Sequence, residues 1–251
     1  MLPVLFLIFH WFLSLFLQSF FLHRYCAHKM FQMNPFWEKF FYFLTYIAQG
    51  ASFLNPRSYS VMHQRHHAHS DTHKDPHSPT NHGNVVSMMI ATYYEYKKLL
   101  AQSDFEEFKK EFKDDSIIHH YPTWPWLDKF AAGHWNIILW TAIYIFLYLW
   151  FQVEPLYYLL IPIHLFIGPI QGAIVNWCGH NYGHRNYDIK DQSRNTLLWD
   201  IPLMGELYQN NHHYSCQKIN FAHKWYEFDP TYLIIKFMSF TRVIKIKRSC
   251  L

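Results

Sequence analysis

The stretch most able to do chemistry is His63-Gln64-Arg65-His66-His67. Its three imidazoles stand at i, i+3 and i+4, positions that share one helix face with Cβ atoms about 5–6 Å apart. Neutral imidazole is the commonest metal-binding side chain, so the pattern reads as a metal-binding face. The competing reading is a solvated polar helix face. Two further clusters weigh against it: His23-Arg24-Tyr25-Cys26-Ala27-His28 upstream and Asn211-His212-His213 downstream. Each of the three lies beside a long apolar stretch, and a chance surplus of histidine would not collect at such boundaries.

The spacing says more about the number of metals. His23 and His28 are five apart, about 140° round an α-helix, so both reach one centre only if the helix ends or unwinds between them. His212 and His213 are adjacent and must diverge, which suits two ions. With His180, the set His23, His28, His63, His66, His67, His180, His212 and His213 holds eight imidazoles, too many for one ion. The four cysteines, Cys26, Cys178, Cys216 and Cys250, form no CxxC pair. That suggests neither a zinc ribbon nor a disulfide framework and fits thiols facing a reducing cytoplasm. HExxH and ExxH are absent, which sets aside zinc hydrolases and carboxylate di-iron bundles. Ligand type alone leaves Zn, Cu, Fe and Ni open. Asp71, Asp75 and Glu206 lie near the clusters and can accept the outer N–H of a ligating imidazole; singly, each reads equally well as a surface carboxylate.

The elements that must position these groups are mostly apolar. Residues 2–22 are nearly unbroken apolar, about 31 Å as a helix and so about one hydrocarbon core. No basic segment precedes them and no small-residue cleavage site follows, so a retained membrane helix is expected rather than a signal peptide. Residues 135–151 and 155–175 form two more spans, turned at Glu154-Pro155, with Pro162, Gly168, Pro169 and Gly172 loosening the second. Residues 36–54 are interrupted by Glu38, Lys39, Gln49 and Gly50. A full crossing there would put the first two histidine clusters on opposite sides, so an interfacial or re-entrant helix is expected. The loop 70–79 is turn-rich. Phe105, Phe108 and Phe112 recur at helical spacing among charges and predict an amphipathic helix, and Tyr121–Trp126 an interfacial anchor. Lys236, Arg242, Lys245, Lys247 and Arg248 place the tail in the cytoplasm by the positive-inside rule. The expected architecture is all-α, one integral membrane domain over 1–251, with a cytoplasmic helical cap (55–134 and 176–251) carrying a histidine-rich dimetal site. Mean hydropathy is only −0.14, but nineteen histidines lower it and 20% of residues are aromatic, as wide interfacial belts require. A net charge of +4 does not point to nucleic acid.

His23-x4-His28, His63-x2-His66-His67 and His212-His213 resemble the three histidine boxes of the membrane fatty-acid desaturases. The resemblance runs over roughly residues 10–235. It includes Ser70-Asp71-Thr72 with Asp75-Pro76-His77, then Asn176-x3-His180 with Tyr182-Gly183 and Tyr187-Asp188. Ser193-Arg194-Asn195, Gly205-Glu206 and Asp229-Pro230-Thr231 extend it. It is nearest to bacterial stearoyl-CoA-desaturase-like enzymes. It implies a multi-pass protein of the bacterial inner membrane, two irons that zinc can replace on expression, and O2 as co-substrate. It also implies a double bond, of the Δ9 type, set into an acyl-CoA or acyl-lipid, with Asn176 joining the metal site through a water. Gln49 and Gly50 are the implied tunnel positions. Two departures stand out. Gln209 occupies the place of a histidine three before the final pair, leaving it a weaker ligand, with His184 as a candidate replacement. Ala173 replaces an aromatic residue of many relatives. No GxGxxG or haem domain is present, so an external donor is implied: a ferredoxin, rubredoxin or cytochrome b5-like protein, met by Lys74, Lys218 and Lys224. A di-iron hydroxylase of lipids, alkanes or carotenoids shares this metal chemistry. A histidine-rich metal transporter instead expects ionisable residues within the spans, where only His10 and His164 lie.

Overall fold

The structure is a computed structural model and describes residues 1–75, 77–101 and 121–251. The predicted Phe105/Phe108/Phe112 helix lies outside the described residues. Helix α1 (Leu2–Leu17) runs without a break into a π-helical segment (Gln18–Ala27). After strand β1 (Phe31–Met33) come α2 (Pro35–Gln49), a 3₁₀ turn (Gly50–Ser52), α3 (Pro56–His69) and α4 (Val85–Leu100). Then follow α5 (Pro125–Ala131), α6 (His134–Trp150), a 3₁₀ stretch (Pro155–Leu160), α7 (Ile161–Leu165) and α8 (Ile167–Asn181). The tail holds α9 (Gln209–Tyr214), α10 (Pro230–Phe240) and β2 (Ile244–Ile246).

Several helix starts follow one local rule. The Asn34 side chain accepts from Trp37 N, Asn55 from Ser58 N and Asp229 from Tyr232 N, each with proline next in the chain. The side chain satisfies an orphan N–H, and proline at the first helical position has no N–H to lose. At the other end of α2, Gly50 takes φ +55°, and a Cβ there would come within 2.6 Å of the Tyr144 hydroxyl. Only glycine suits that turn, which lets α3 come back along the π-helical segment.

The chain departs from the all-α expectation in one small ribbon. β1 pairs antiparallel with β2, Phe31 opposite Ile246, fastening the tail to the end of the first helix. That helix also runs five residues past the expected boundary at 22. Among the described residues, Leu2–Ala27 is long and apolar enough to cross a membrane. Two bent pairs qualify only if each is one span: Pro125–Ala131 with His134–Trp150, bent 74°, and Pro155–Leu165 with Ile167–Asn181, bent 64°. The second break falls at Phe166, among the prolines and glycines that weaken the ladder.

His10 and His164 meet each other. His10 Nε2 lies 2.7 Å from the Ala48 carbonyl and His10 Nδ1 2.7 Å from His164 Nδ1, while His164 Nε2 lies 3.0 Å from the Tyr148 hydroxyl. A carbonyl only accepts, so His10 Nε2 carries a proton. With neutral rings, His164 Nδ1–H then donates to His10 and Tyr148 O–H to His164. This buried chain is fully satisfied and ties α1 to α2, α6 and α7.

Candidate metal centre

Three devices bring the imidazoles together. In the π-helical segment, His28 N donates to His23 O, 3.1 Å, an i to i+5 bond. The wider turn carries the fifth residue back beside the first, and the helix ends at Ala27, so the winding loosens and stops between His23 and His28, as their spacing requires. On α3 the i, i+3, i+4 spacing puts His63, His66 and His67 toward the same region. On α9 the adjacent His212 and His213 diverge, one to each side.

Five imidazoles form one group, His23, His28, His63, His67 and His212, and three form a second, His66, His180 and His213. Within each, the ligand atoms lie within 4.8 Å of one another. The groups adjoin, with the His67 and His213 ring centroids 4.6 Å apart. Neighbouring Nε2 atoms of the first group are 2.8 Å (His28–His63), 3.0 Å (His63–His67), 2.9 Å (His67–His212) and 3.0 Å (His212–His23) apart. A neutral ring nitrogen holds either a proton or a lone pair. Five nitrogens in a row therefore make at most about two ordinary hydrogen bonds across those contacts. A cation resolves the rest: with metal–nitrogen bonds of about 2.0–2.1 Å, ligands at right angles sit about 2.9 Å apart. The residues present fit a metal held by imidazole.

Carboxylates turn the rings of the second group. His66 Nδ1 bonds Asp75 (2.8 Å), His180 Nδ1 bonds Asp71 (3.0 Å) and His213 Nδ1 bonds Asp191 (3.0 Å). In the first group His23 Nδ1 bonds Glu206 (2.6 Å). Each bond places the proton on Nδ1 and the lone pair of Nε2 inward. His180 Nε2 is buried with no partner. Asp71, Asp75 and Glu206 were singled out in the sequence; Asp191 was not, since a lone acid in a polar loop carries no signal. His77, which no histidine cluster of the sequence includes, is buried beside His66 and Asp75, within the same 4.8 Å.

Glu206 is itself held by Arg24, Nη1 to Oε1 3.1 Å, and Arg24 Nη2 reaches Asp229 at 2.7 Å. The guanidinium is fully buried and lies 3.6 Å over the Phe221 ring. Burial would raise the Glu206 carboxyl, but His23 and Arg24 outweigh it and hold it below its usual range. Asp75 is held low in the same way, against burial, by His66. Burial, then the neighbouring imidazoles, keeps His63, His67 and His212 well below the usual histidine value. Burial likewise brings His213 down to about 4.

An apolar cavity of about 670 Å³ lies beside both groups. Val86, Met89 and Ile90 of α4 face Gly172, Ala173 and Asn176 of α8 across it, with His23, His63, His66, Glu206 and Gln209 in its wall. Gln49 and Gly50 do not line it. Gln49 Oε1 instead accepts from Leu54 N, 2.9 Å, and Gly50 is packed under Tyr144, so both serve the turn after α2. His184 also falls outside the groups: its Nε2 stands 3.7 Å from Glu227, drawn there by the bridge that pairs it with Asn195. Gln209 Nε2 donates to the Glu206 carbonyl at 2.7 Å. Its side chain lies over Gly179, where a Cβ would be 2.4 Å from Gln209 Cγ.

A family model described as fatty acid desaturase matches residues 1–236. The chain is 26% identical to the sn-1 stearoyl-lipid 9-desaturase of Synechocystis sp. over 89% of this chain and 64% of the relative. It is 25% identical to the sn-1 stearoyl-lipid 9-desaturase of Anabaena variabilis over 86% of this chain and 72% of the relative. It is 28% identical to the hex-5-enoyl-(acyl-carrier protein) acetylenase of Moorena producens over 90% and 70%. The chain thus spans just under two thirds of the Synechocystis enzyme's length.

Proposed function

This chain belongs to the fatty acid desaturase family, and we propose that it sets a cis double bond, of the Δ9 type, into a saturated acyl chain. The observation that carries this reading is the pair of adjoining imidazole groups, five and three, in the wall of an apolar cavity. His23, His28, His63, His67 and His212 would hold one iron. His66, His180 and His213 would hold the other, with Asn176 through a water. Gln209, its nitrogen committed to Glu206, offers only its oxygen. Zinc fits the same donors and would replace iron on expression. Two irons bound there supply O2 chemistry able to take hydrogen from an unactivated methylene. The overall balance is –CH2–CH2– + O2 + 2 e⁻ + 2 H⁺ → –CH=CH– + 2 H2O.

The chain's own residues supply place and dryness. Val86, Met89, Ile90 and the small face of α8 would hold the acyl chain extended and free of water. One C–C bond then lies beside the metals, and selectivity comes from position rather than from intrinsic reactivity. The Nδ1 carboxylates keep the imidazole lone pairs aimed inward. The acyl chain would reach the cavity from the bilayer as a CoA thioester or a lipid ester, with the histidine face and the C-terminus on the cytoplasmic side of the membrane. The Synechocystis and Anabaena relatives, named for position 9 of a stearoyl lipid, support the Δ9 position.

The test is expression in a host without its own desaturase, followed by gas chromatography of total fatty acids. Wild type is expected to yield Δ9-unsaturated chains, and His66→Ala and His213→Ala none. Unsaturation retained in either variant overturns the ligand assignment, and a hydroxylated product without alkene overturns desaturation in favour of hydroxylation.

A further inference from the structure

The proposed reaction consumes two electrons, and the inference below rests on that reading. Beside His213 lies an aromatic patch that the metal groups do not use. The Tyr187 and Tyr214 rings stack face to face, centroids 3.8 Å apart and 2° from parallel. Tyr214 follows His213 directly in the chain and is 55% exposed. The patch is bolted to α9. Asn210 Oδ1 accepts the N–H groups of Asn186 and Tyr187, both at 2.8 Å, and Asn210 Nδ2 donates to the Tyr187 carbonyl at 3.0 Å. Movement at Tyr187 is therefore tied to the helix that carries His212 and His213.

The surround is basic. Lys224 Nζ sits 5.5 Å from the centre of the Tyr187 ring. The Tyr187 hydroxyl lies 3.2 Å from His223 Nδ1, and Lys218, four residues after Tyr214, is tied back to that turn by its N–H bond to the Ser215 carbonyl at 2.9 Å. Next in the chain, Trp225 is 94% exposed. The nearby acids are partly spent: Glu227 is buried and accepts from Asn186, Asn211 and the His223 and Lys224 backbones, and Asp191 holds His213. Among the described residues, Asp188 is the exposed acid here. Exposed tyrosine and tryptophan flanked by lysine suit an interface centre with a steering rim.

We propose that the Tyr187–Tyr214 stack, with Lys218, Lys224 and Trp225, is the docking surface of an acidic one-electron carrier protein, which delivers its electrons beside His213. Two docking events would supply the two electrons of one turnover.

The test uses the full-length, iron-loaded protein in detergent, with an acidic plant-type ferredoxin as probe. As a control that needs no docking, the protein is reduced anaerobically by dithionite with methyl viologen, the excess reductant is removed, and O2 is admitted for a single turnover. Wild type is expected to oxidise reduced ferredoxin at a rate that falls with ionic strength. Lys218→Glu/Lys224→Glu is expected to lose about tenfold or more of that rate at low salt, together with its salt dependence. Tyr214→Ala is expected to lose ferredoxin-driven turnover at any salt. All variants should keep dithionite-driven turnover and iron content. An unchanged ferredoxin rate in the charge-reversed variant overturns the proposal. So does an equal loss with dithionite, which would make the patch structural or a site for a substrate headgroup, and so does a wild type that accepts dithionite but refuses ferredoxin. A wild type that forms no alkene with either reductant instead overturns the desaturase reading.

Discussion

Single residues decide which way each imidazole faces. Asp191 is the clearest case, because among the described residues no other carboxylate bonds His213 Nδ1; Ser70 Oγ is 3.3 Å away. Asp191→Asn keeps the size and removes the charge. It is expected to weaken the second metal about 10- to 100-fold and leave the first nearly unchanged, which a competitive metal titration would resolve as two separated steps. Gln209 belongs to the same scale. Gln209→His puts an imidazole into the cavity wall beside the two groups, and tighter binding at one step of that titration is the expected result, provided Gly179 still admits the ring.

At the scale of elements, α3 carries three of the eight imidazoles, and α8 lines the cavity. The Asn55 side chain starts α3 two turns before His63. Asn55→Ala is expected to cost about 0.5–2 kcal/mol, read as a lowered melting temperature of the detergent-solubilised protein. On α8, a Cβ at Gly172 would meet nothing within 4 Å because it projects into the cavity. Gly172→Phe should therefore fill part of the acyl space, reduce conversion of 18-carbon chains and favour shorter ones. A product profile identical to wild type by gas chromatography would mean that the acyl chain runs elsewhere.

For the whole molecule, the buried charge cluster joins the first helix to the tail. Arg24 binds Glu206 and Asp229, and its Nε donates to the Ile219 carbonyl. Arg24→Met would leave two buried carboxylates facing each other without a cation, a loss of about 3–5 kcal/mol, checked by thermal unfolding. The histidines set the response to acid. His63, His67, His212 and His213 are held neutral by burial, below their ordinary value of 6.5. Above pH 6.5 folded and unfolded chains bind the same protons at these sites, so nothing is lost. As pH falls from 6.5 through about 4, where His213 charges, the unfolded chain takes up protons that the folded one refuses, and stability declines. The carboxylates add their own loss at lower pH still, because Asp75 and Glu206 are held ionised. Protons also compete with metal for the same nitrogens. Metal release and a falling melting temperature are expected to coincide between pH 6.5 and 4, and a melting temperature flat across that window would contradict the burial argument.

The chain's local chemistry was legible from residue order alone. The i, i+3, i+4 face of α3 and the divergence of the adjacent His212 and His213 both act within a few residues, where spacing dictates geometry. The division of eight imidazoles into five and three was not legible, nor was the π-helical widening that brings His28 beside His23. Asp191 at His213, His184 turned toward Glu227, and a cavity wall at Gly172 rather than at Gln49 and Gly50 were equally hidden. Each of these depends on which distant faces meet, and periodicity describes a face without naming its partner. Packing of α1, α3, α8 and α9 made that choice, and so only the folded chain shows where the imidazoles converge.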